Sequence, residues 1–442
     1  MEALKSMNEG LKVYSELSVA ERESRLLRSG VEATLTPSGK HFVDTYASDA
    51  TEKGHRQCYK ILVYHLTVLH ISLLGAGLGM RAAADNYSEA VRIANAESNT
   101  TGGRVRGELR GVMKLLQRIA VRTLYSLGLD SGEVLLRAMG NRRYVVEGVT
   151  PLVKTSGQRL PEPYRSAALA LERKLALEQP VRSGLLMGMD PEFIILREST
   201  GRVVPASRYL PTDGVAGCDA GPPGTRGAFP VAELRPQPRG EPRALLAQLM
   251  SAAALADRLI ADRSLRWRAG GMPLTGWALG GHLHFSGVTL TAPLLRALDN
   301  YLALPMLLLE DVRAGARRPR YGVLGDFRTQ PHGGFEYRTL PSFLVSPVIA
   351  KGAVYLAHLI VSHYEDLTQR PLDREDLHIA YYSGDKSPLR AAIPPLLAQL
   401  RSLGGYEIAA PYIEPLFEYI AAERTWDESR DIRELWCSKV KV

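Results

Sequence analysis

Carboxylates, imidazoles and guanidinium groups recur in this chain two residues apart. In the run Gly188-Met189-Asp190-Pro191-Glu192-Phe193, inside residues 185–196, a strand puts Asp190 and Glu192 on one face and Met189, Pro191 and Phe193 on the other. A strand with one wet face shows the same alternation. Recurrence is what points to chemistry. Ala232-Glu233-Leu234-Arg235-Pro236 pairs Glu233 with Arg235, and Gly280-Gly281-His282-Leu283-His284-Phe285 pairs two imidazoles. Gly334-Phe335-Glu336-Tyr337-Arg338-Thr339-Leu340 then pairs Glu336 with Arg338. Side by side in one sheet, these segments collect Asp190, Glu192, Glu233, His282, His284 and Glu336 on a single face, with Arg235 and Arg338 among them. Unpaired buried charge is costly, so such a face is no ordinary core surface. It suits hard divalent cations and a polyphosphate, because oxygen ligands hold magnesium and arginines cap phosphate oxygens.

The elements that must position these residues read as α+β from residue 184 onward. Residues 185–198 and 203–206 pair across Ser199-Thr200-Gly201 as a hairpin. Residues 212–227 are too rich in glycine and proline for regular structure and suggest a substrate loop or a disordered insertion. Helices are expected over 242–261, 291–312 and 347–367, opened by a proline or by a capping hydroxyl such as Thr291 or Ser346. A basic connection containing Arg317, Arg318, Tyr321 and Arg328 leads into the Glu336 strand. Residues 387–442 read as helices, with a capping-box-like start at Thr425 to Glu428.

Residues 1–180 form a separate, mostly helical accessory region. Residues 2–28 make a polar helix with Gly30 as its C-cap. Residues 61–74 read as an inner helix on which His65 and His70 are core histidines. Residues 107–127 make an amphipathic helix with Leu109, Val112, Leu115, Leu116, Ile119 and Ala120 on its stripe. Residues 132–137 and 144–149 form a hairpin through Gly140-Asn141. A further helix over 163–179 ends before Pro180. The stretch Leu127-Gly128-Leu129-Asp130 into 145–151 resembles the last helix and hairpin of ATP-grasp proteins, but a plain accessory region is the favoured reading.

With 442 residues, 45% of them hydrophobic, the chain can bury a sizeable core. Its net charge of +8 raises the question of a nucleic-acid partner. The arginines are scattered, without a basic tail and without interleaved aromatics, so none is expected. Cys58, Cys218 and Cys437 are odd in number and widely spaced, which argues against a disulfide framework and fits a reducing cytoplasm. No signal peptide is indicated at residues 1–10. Residues 61–80 are the single candidate span, but His65, Thr67, His70 and Ser72 interrupt them. No stable membrane insertion is therefore expected.

Taken together, Gly188-x-Asp190-Pro191-Glu192-Phe193, Asp213-Gly214, Glu233-Leu234-Arg235-Pro236, Gly281-His282-x-His284 and 335–340 resemble the glutamate-cysteine ligase and glutamine synthetase superfamily. Within it, they are most similar to the phage and bacterial carboxylate-amine ligases called amidoligases. The resemblance covers about residues 184–367 and implies a glutamine-synthetase-like, mainly antiparallel sheet. One face of that sheet is lined by metal and ATP ligands, and helices cover the other.

By that resemblance the catalytic domain is 184–442, and Glu192, His282 and Glu336 hold a metal on the ATP phosphates. Asp190, Asp213 and Glu233 surround a second metal. Arg338 stabilises the phosphoryl group in flight, with Glu336 beside it. Arg328, Arg235 and Tyr321 contact phosphate or substrate. His284 either orients a ligand or bonds a neighbour. Glutamate-cysteine ligases more often carry glutamate where this chain has Asp190, and the shorter side chain there bears on the metal count.

The expected function is ATP-dependent joining of a small-molecule or peptide carboxylate to an amine through an acyl phosphate, with magnesium, or manganese in view of the imidazoles. Self-association is left open. The competing readings are a non-catalytic nucleotide or small-molecule binding module derived from a ligase, and a metal-dependent hydrolase suggested by His282-x-His284 among carboxylates.

Overall fold

The computed structural model describes residues 8, 10–35, 57–74, 103–153, 159–178, 182–225 and 227–437. Expectations placed on residues 1–7, 75–80, 179–181 and 438–442 lie outside them. The chain divides into two compact units, Met1–Ala176 and Leu177–Val442.

In the first unit the polar N-terminal helix is two helices, Leu11–Glu16 and Val19–Arg28. Ser18 separates them, because its hydroxyl accepts from Glu21 N–H while the Glu21 carboxylate accepts from Ser18 N–H. Gly30 follows the second helix at φ 75°, the left-handed position a helix C-terminus favours.

The inner helix expected over 61–74 is instead two antiparallel strands, β1 (Cys58–Tyr64) and β2 (Thr67–Leu74). Ile61, Val63, Thr67, Val68 and Ile71 are β-branched, and an apolar run this short does not separate helix from strand by period. The chain reverses at His65 and Leu66, with φ of 38° and 67°, and neither residue type advertises a left-handed turn. His65 therefore sits in the turn and His70 on β2, not on a shared helix.

The expected hairpin forms as β3 (Ser131–Ala138) and β4 (Tyr144–Pro151), giving a four-stranded sheet in the order β2-β1-β3-β4. The amphipathic helix runs over Gly103–Ser126 and buries Leu116, Ala120 and Leu124 against Ile61, Val134 and Val146. Tyr164 and Ala168 of the helix Tyr164–Ala176 pack with Tyr64.

The second unit is built on β5 (Leu186–Arg197), the expected strand. Its pattern alternates around Met187, Met189, Phe193 and Ile195, all buried, while Asp190 and Glu192 are half-buried. β6 (Arg202–Val204) closes the expected hairpin on it. Residues 212–227, expected to hold no regular structure, carry β7 (Ala216–Asp219). Its edge position requires only one partner, β8 (Val231–Leu234), so glycine-rich flanks do not prevent it.

β9 (Leu265–Arg268) pairs with the far end of β5. β10 (Gly281–Ser286), β11 (Phe327–Thr329) and β12 (Phe335–Tyr337) complete an antiparallel sheet in the order β11-β12-β10-β5-β8-β7. Pro191 has no N–H to give a ladder. It sits where β5 passes from pairing with β10 to pairing with β8.

One face of this sheet is apolar. Phe193 lies 4.7 Å from Trp267 and Phe285 lies 5.4 Å from Phe335, ring centre to ring centre. The helix Pro242–Leu259 packs on β5, β7 and β8, and on the helix Pro347–His363, which packs in turn on Tyr406–Ala421. Thr291 and Ser346 cap their helices as expected, each hydroxyl accepting a main-chain N–H three residues on. The helix expected over 291–312 runs as Ala292–Leu298, a wider π turn over Asp299–Ala303, and Leu304–Leu309. That stretch is long and apolar enough to cross a membrane, and 94% of it is buried in this unit. The capping-box start expected at Thr425 does not form; the next helix is Arg433–Cys437. Glu428 is buried instead, its carboxylate accepting from Gly271 and Met272 N–H.

Candidate active site

Adjacent strands put the recurring pairs next to one another. Asp190 lies opposite His282, His284 opposite Glu336, and Glu192 opposite Glu233. Residues directly opposite in an antiparallel pair point to the same face, so one face gathers all six side chains. Sequences alternating apolar and polar can occupy these strands in only one way, because a one-residue slip would bury every acid among the helices.

The tightest group is Asp190, His284 and Glu336, whose donor atoms all lie within 4.8 Å of one another. His284 Nε2 is 2.9 Å from Asp190 Oδ2, and His282 Nδ1 is 3.1 Å from Asp190 Oδ1 and 3.4 Å from Glu336 Oε1. His284, left undecided from sequence, thus stands closer to the carboxylate pair than the sequence reading required. His282 lies between the two acids, its ring against Gly280. A Cβ at Gly280 would fall 2.4 Å from His282 Nε2.

Glu336 is 1% exposed. Arg338 Nε stands 3.0 Å from its Oε1, and Arg328 Nη1 stands 3.3 Å from its Oε2. Gln330 Nε2 donates to the same Oε2 at 3.3 Å. Both arginines keep part of their side chains in solvent, 31% for Arg338 and 56% for Arg328. Glu192 accepts from Gly280 N–H at 2.7 Å, and its main-chain oxygen accepts from Ser342 Oγ at 2.5 Å.

Charge on this face is crowded. Burial pushes the Asp190 carboxyl up, but hydrogen bonds from His282 and His284 override it and hold it well below the usual carboxylate range. Burial tends to discharge His282, and Asp190 outweighs it, so the imidazole is raised. Burial also raises Glu192, with Asp190 and Asp219 adding to the rise. Glu233 is pushed up to about 9 by burial and by Asp190, against the pull of Arg235.

Other sequence-predicted residues lie differently. Arg235 Nη1 donates to Thr212 O at 3.0 Å and Gly214 O at 3.3 Å, and Nη2 donates to Cys218 O at 3.3 Å and Glu233 Oε2 at 2.5 Å. Most of its donors are thus committed to the protein, and it pins the 212–218 turn to β8. Asp213 is exposed in the bend before β7, outside the tight donor group. Tyr321 is 42% exposed, with Arg320 over its ring at 5.5 Å.

Sequence reasoning missed Asp219 and the cover over the end of the face. Asp219 lies at the end of β7, two residues beyond the partner of Glu233, and its charge acts on both Glu192 and Glu233. Its place just before Gly221-Pro222-Pro223-Gly224 hid it as a loop acid. Farther along the same face, Ile194 and Val231 pack with Leu279, Leu274 and a half-buried Trp277.

The chemistry of the donor set fits a divalent cation: two carboxylates and an imidazole converge, with further acids nearby that burial raises and a cation would help to ionise. Magnesium prefers the oxygens, and the imidazole widens the choice to manganese.

Comparison with known proteins bears on the same residues. The profile of the phage phiEco32-like COOH.NH2 ligase-type 2 family matches residues 187–437, more than half of the chain. No curated protein matches. Among solved structures, the chain is similar to a bifunctional glutathione synthetase from Pasteurella multocida at 11% identity and a TM-score of 0.34, over 62% of this chain and 52% of that one. It thus spans about half the length of that enzyme. GmaS in complex with ADP matches at 12% identity and a TM-score of 0.29, over 66% of this chain and 83% of that one. A glutamine synthase homologue matches at 14% identity and a TM-score of 0.22, over 63% and 79%.

Proposed function

We propose, for a chain that belongs to the phage phiEco32-like COOH.NH2 ligase-type 2 family, that its reaction is the ATP-dependent joining of a carboxylate to an amine through an acyl phosphate. The observation that carries this reading is the register of β8, β5, β10 and β12, which sets four acids and two imidazoles beside Arg328 and Arg338.

An amide does not form from a carboxylate and an amine in water without activation. A carboxylate oxygen attacks the γ-phosphorus, the bond to the ADP oxygen breaks, and an acyl phosphate results. The amine then attacks the acyl carbon, phosphate departs, and the nitrogen loses a proton. Asp190, His284 and Glu336 would hold one divalent cation, and Glu192, Glu233 and Asp219 are the acids that would hold a second. Divalent cations supply charge neutralisation of the phosphate oxygens.

The protein's own contribution is positioning and electrostatics. Arg338 and Arg328, each anchored on one oxygen of Glu336, present planar forks to the phosphoryl oxygens. Arg235, 2.5 Å from Glu233 Oε2, holds that carboxylate in place for its part in the second cation site. Asp190 and His282 fix one another, so the imidazole is oriented before ligands arrive. The apolar end around Trp277 suits a flat group such as a nucleotide base.

The test is an ADP-release screen with magnesium, ATP and a panel of carboxylates paired with amines. Substrate-dependent ADP release that disappears in Glu336→Gln and Arg338→Ala supports the ligase. A metal-dependent hydrolase is the second reading, favoured by the compact Asp190–His284–Glu336 group. Thermal stabilisation by metal alone, with no further gain from ATP, selects it instead.

A further inference from the structure

A cavity of about 590 Å³ opens elsewhere in the second unit, and none of the acid-face residues lines it. That volume is within the usual range for a small-molecule site. Glu310 and Arg318 stand on one wall, and Ser383, Lys386, Ser387 and Arg390 on another.

The carboxylates of the wall already have partners. Glu310 takes both terminal nitrogens of Arg318 at 3.0–3.3 Å, in a pair whose side chains are 4% and 2% exposed. Asp311 takes the Arg313 guanidinium at 2.7 and 3.0 Å and the Glu428 N–H at 3.1 Å. Asp385 accepts from Ser387 N–H at 3.1 Å.

The cations are less well matched. Lys386 Nζ donates to the main-chain oxygen of Glu310 instead of a carboxylate. Arg390 donates to Ile420 O at 2.9 Å and meets Glu423, itself 72% exposed, only at 3.7 Å. Arg318 Nε is buried with no hydrogen-bond partner. Burial pushes the Lys386 ammonium down, and Arg390 and Arg318 add to that against Glu310. Arg318 is thus spent on Glu310, while Lys386 and Arg390 line the cavity with their short contacts made to main-chain oxygens.

We propose that this cavity is a second ligand site, binding a small molecule through an oxyanion group, phosphate or carboxylate, seated against Lys386 and Arg390. Such a group takes charge-assisted hydrogen bonds from the Lys386 ammonium and the Arg390 guanidinium, whose short contacts within the protein are to main-chain oxygens. Its wall is wired to the acid face from two sides. Arg317, next to Arg318, donates to Thr339 O and Leu340 O at 3.1 Å, directly after Arg338. Asp311 holds the Glu428 backbone, and Glu428 holds Gly271 and Met272 at the start of the segment that ends on Glu192 through Gly280.

The test is isothermal titration of the full chain with inorganic phosphate and, separately, with succinate, neither of which requires turnover. The tighter of the two probes names the group. A Lys386→Gln/Arg390→Gln double variant is expected to weaken binding roughly tenfold or more, while Arg338→Ala leaves it unchanged. Ser387→Asp places a negative charge at the exposed rim without removing the Lys386 bond, and should weaken binding in a chain that still folds. Binding lost in Arg338→Ala and kept in the double variant overturns the proposal, because the anion then sits on the acid face. Failure of both probes to bind at millimolar concentration overturns it as well. Neither result touches the ligase reading, which rests on ADP release.

Discussion

Replacing Glu233 by glutamine should stabilise this protein above neutral pH while disabling it. The carboxyl is 4% exposed and pushed from 4.5 to about 9. A group whose folded pKa is raised contributes its full stability below the unfolded value and loses it as pH rises toward the folded one. For Glu233 that window runs from about 4.5 to about 9. At pH 8 the loss covers about 3.5 units, a ceiling of about 5 kcal/mol.

The pull of Arg235 is already contained in that figure, and water entering the site will reduce it further, so roughly half is expected. Glutamine keeps the shape and can still accept from Arg235, but it cannot ionise. In metal-free thermal melts from pH 5 to pH 9, the variant should match the parent near pH 5 and exceed it by about 4–5 °C at pH 8. Magnesium with ATP should stabilise the parent and have little effect on the variant. Parallel melting curves for the two proteins across that range would refute the account of a crowded, under-compensated acid face.

Three further outcomes test neighbouring parts of the account. Arg338→Ala should lower ADP release on the order of a thousandfold, and Arg328→Ala, whose side chain is more exposed, should lower it less; steady-state rates with unchanged circular dichroism decide the order. Gly280→Ala drives a methyl to within 2.4 Å of His282 Nε2, so manganese affinity measured by titration should fall while the melting temperature changes little. Glu428→Ala strips the acceptor from the buried Gly271 N–H and the half-buried Met272 N–H, costing about 1–3 kcal/mol at the first and less at the second, and chemical denaturation should show the loss.

The acid face was legible because strand chemistry has a period of two, and four segments repeated it with acids, imidazoles and arginines instead of with generic polar residues. Helix starts were legible where a hydroxyl or a proline marks them, at Thr291, Ser346 and Pro242. Residues 61–74 were misread because a short apolar run fits either period, and the decisive feature, a left-handed reversal at His65 and Leu66, leaves no compositional trace. Asp219 was missed because an edge strand of four residues between glycines looks like loop.

Arg235 shows a different limit: spacing put it on the correct face, but only coordinates reveal that its donors are already spent on Thr212, Gly214, Cys218 and Glu233. Glu428 belongs with it. Three residues after a threonine it imitates a capping box, but besides the neighbouring Trp426 its carboxylate serves two N–H groups more than 150 positions away.

The most direct measurement of the central claim follows oxygen through the reaction. A carboxylate substrate found by the ADP-release screen is labelled with oxygen-18 in its carboxyl group and turned over with magnesium, ATP and the matching amine. Activation as an acyl phosphate carries one labelled oxygen into the released phosphate for each amide formed, and the product mass equals the two substrates less one water. Unlabelled phosphate accompanying amide formation, or ADP release with no amide at all, would contradict the assignment of this face to carboxylate activation.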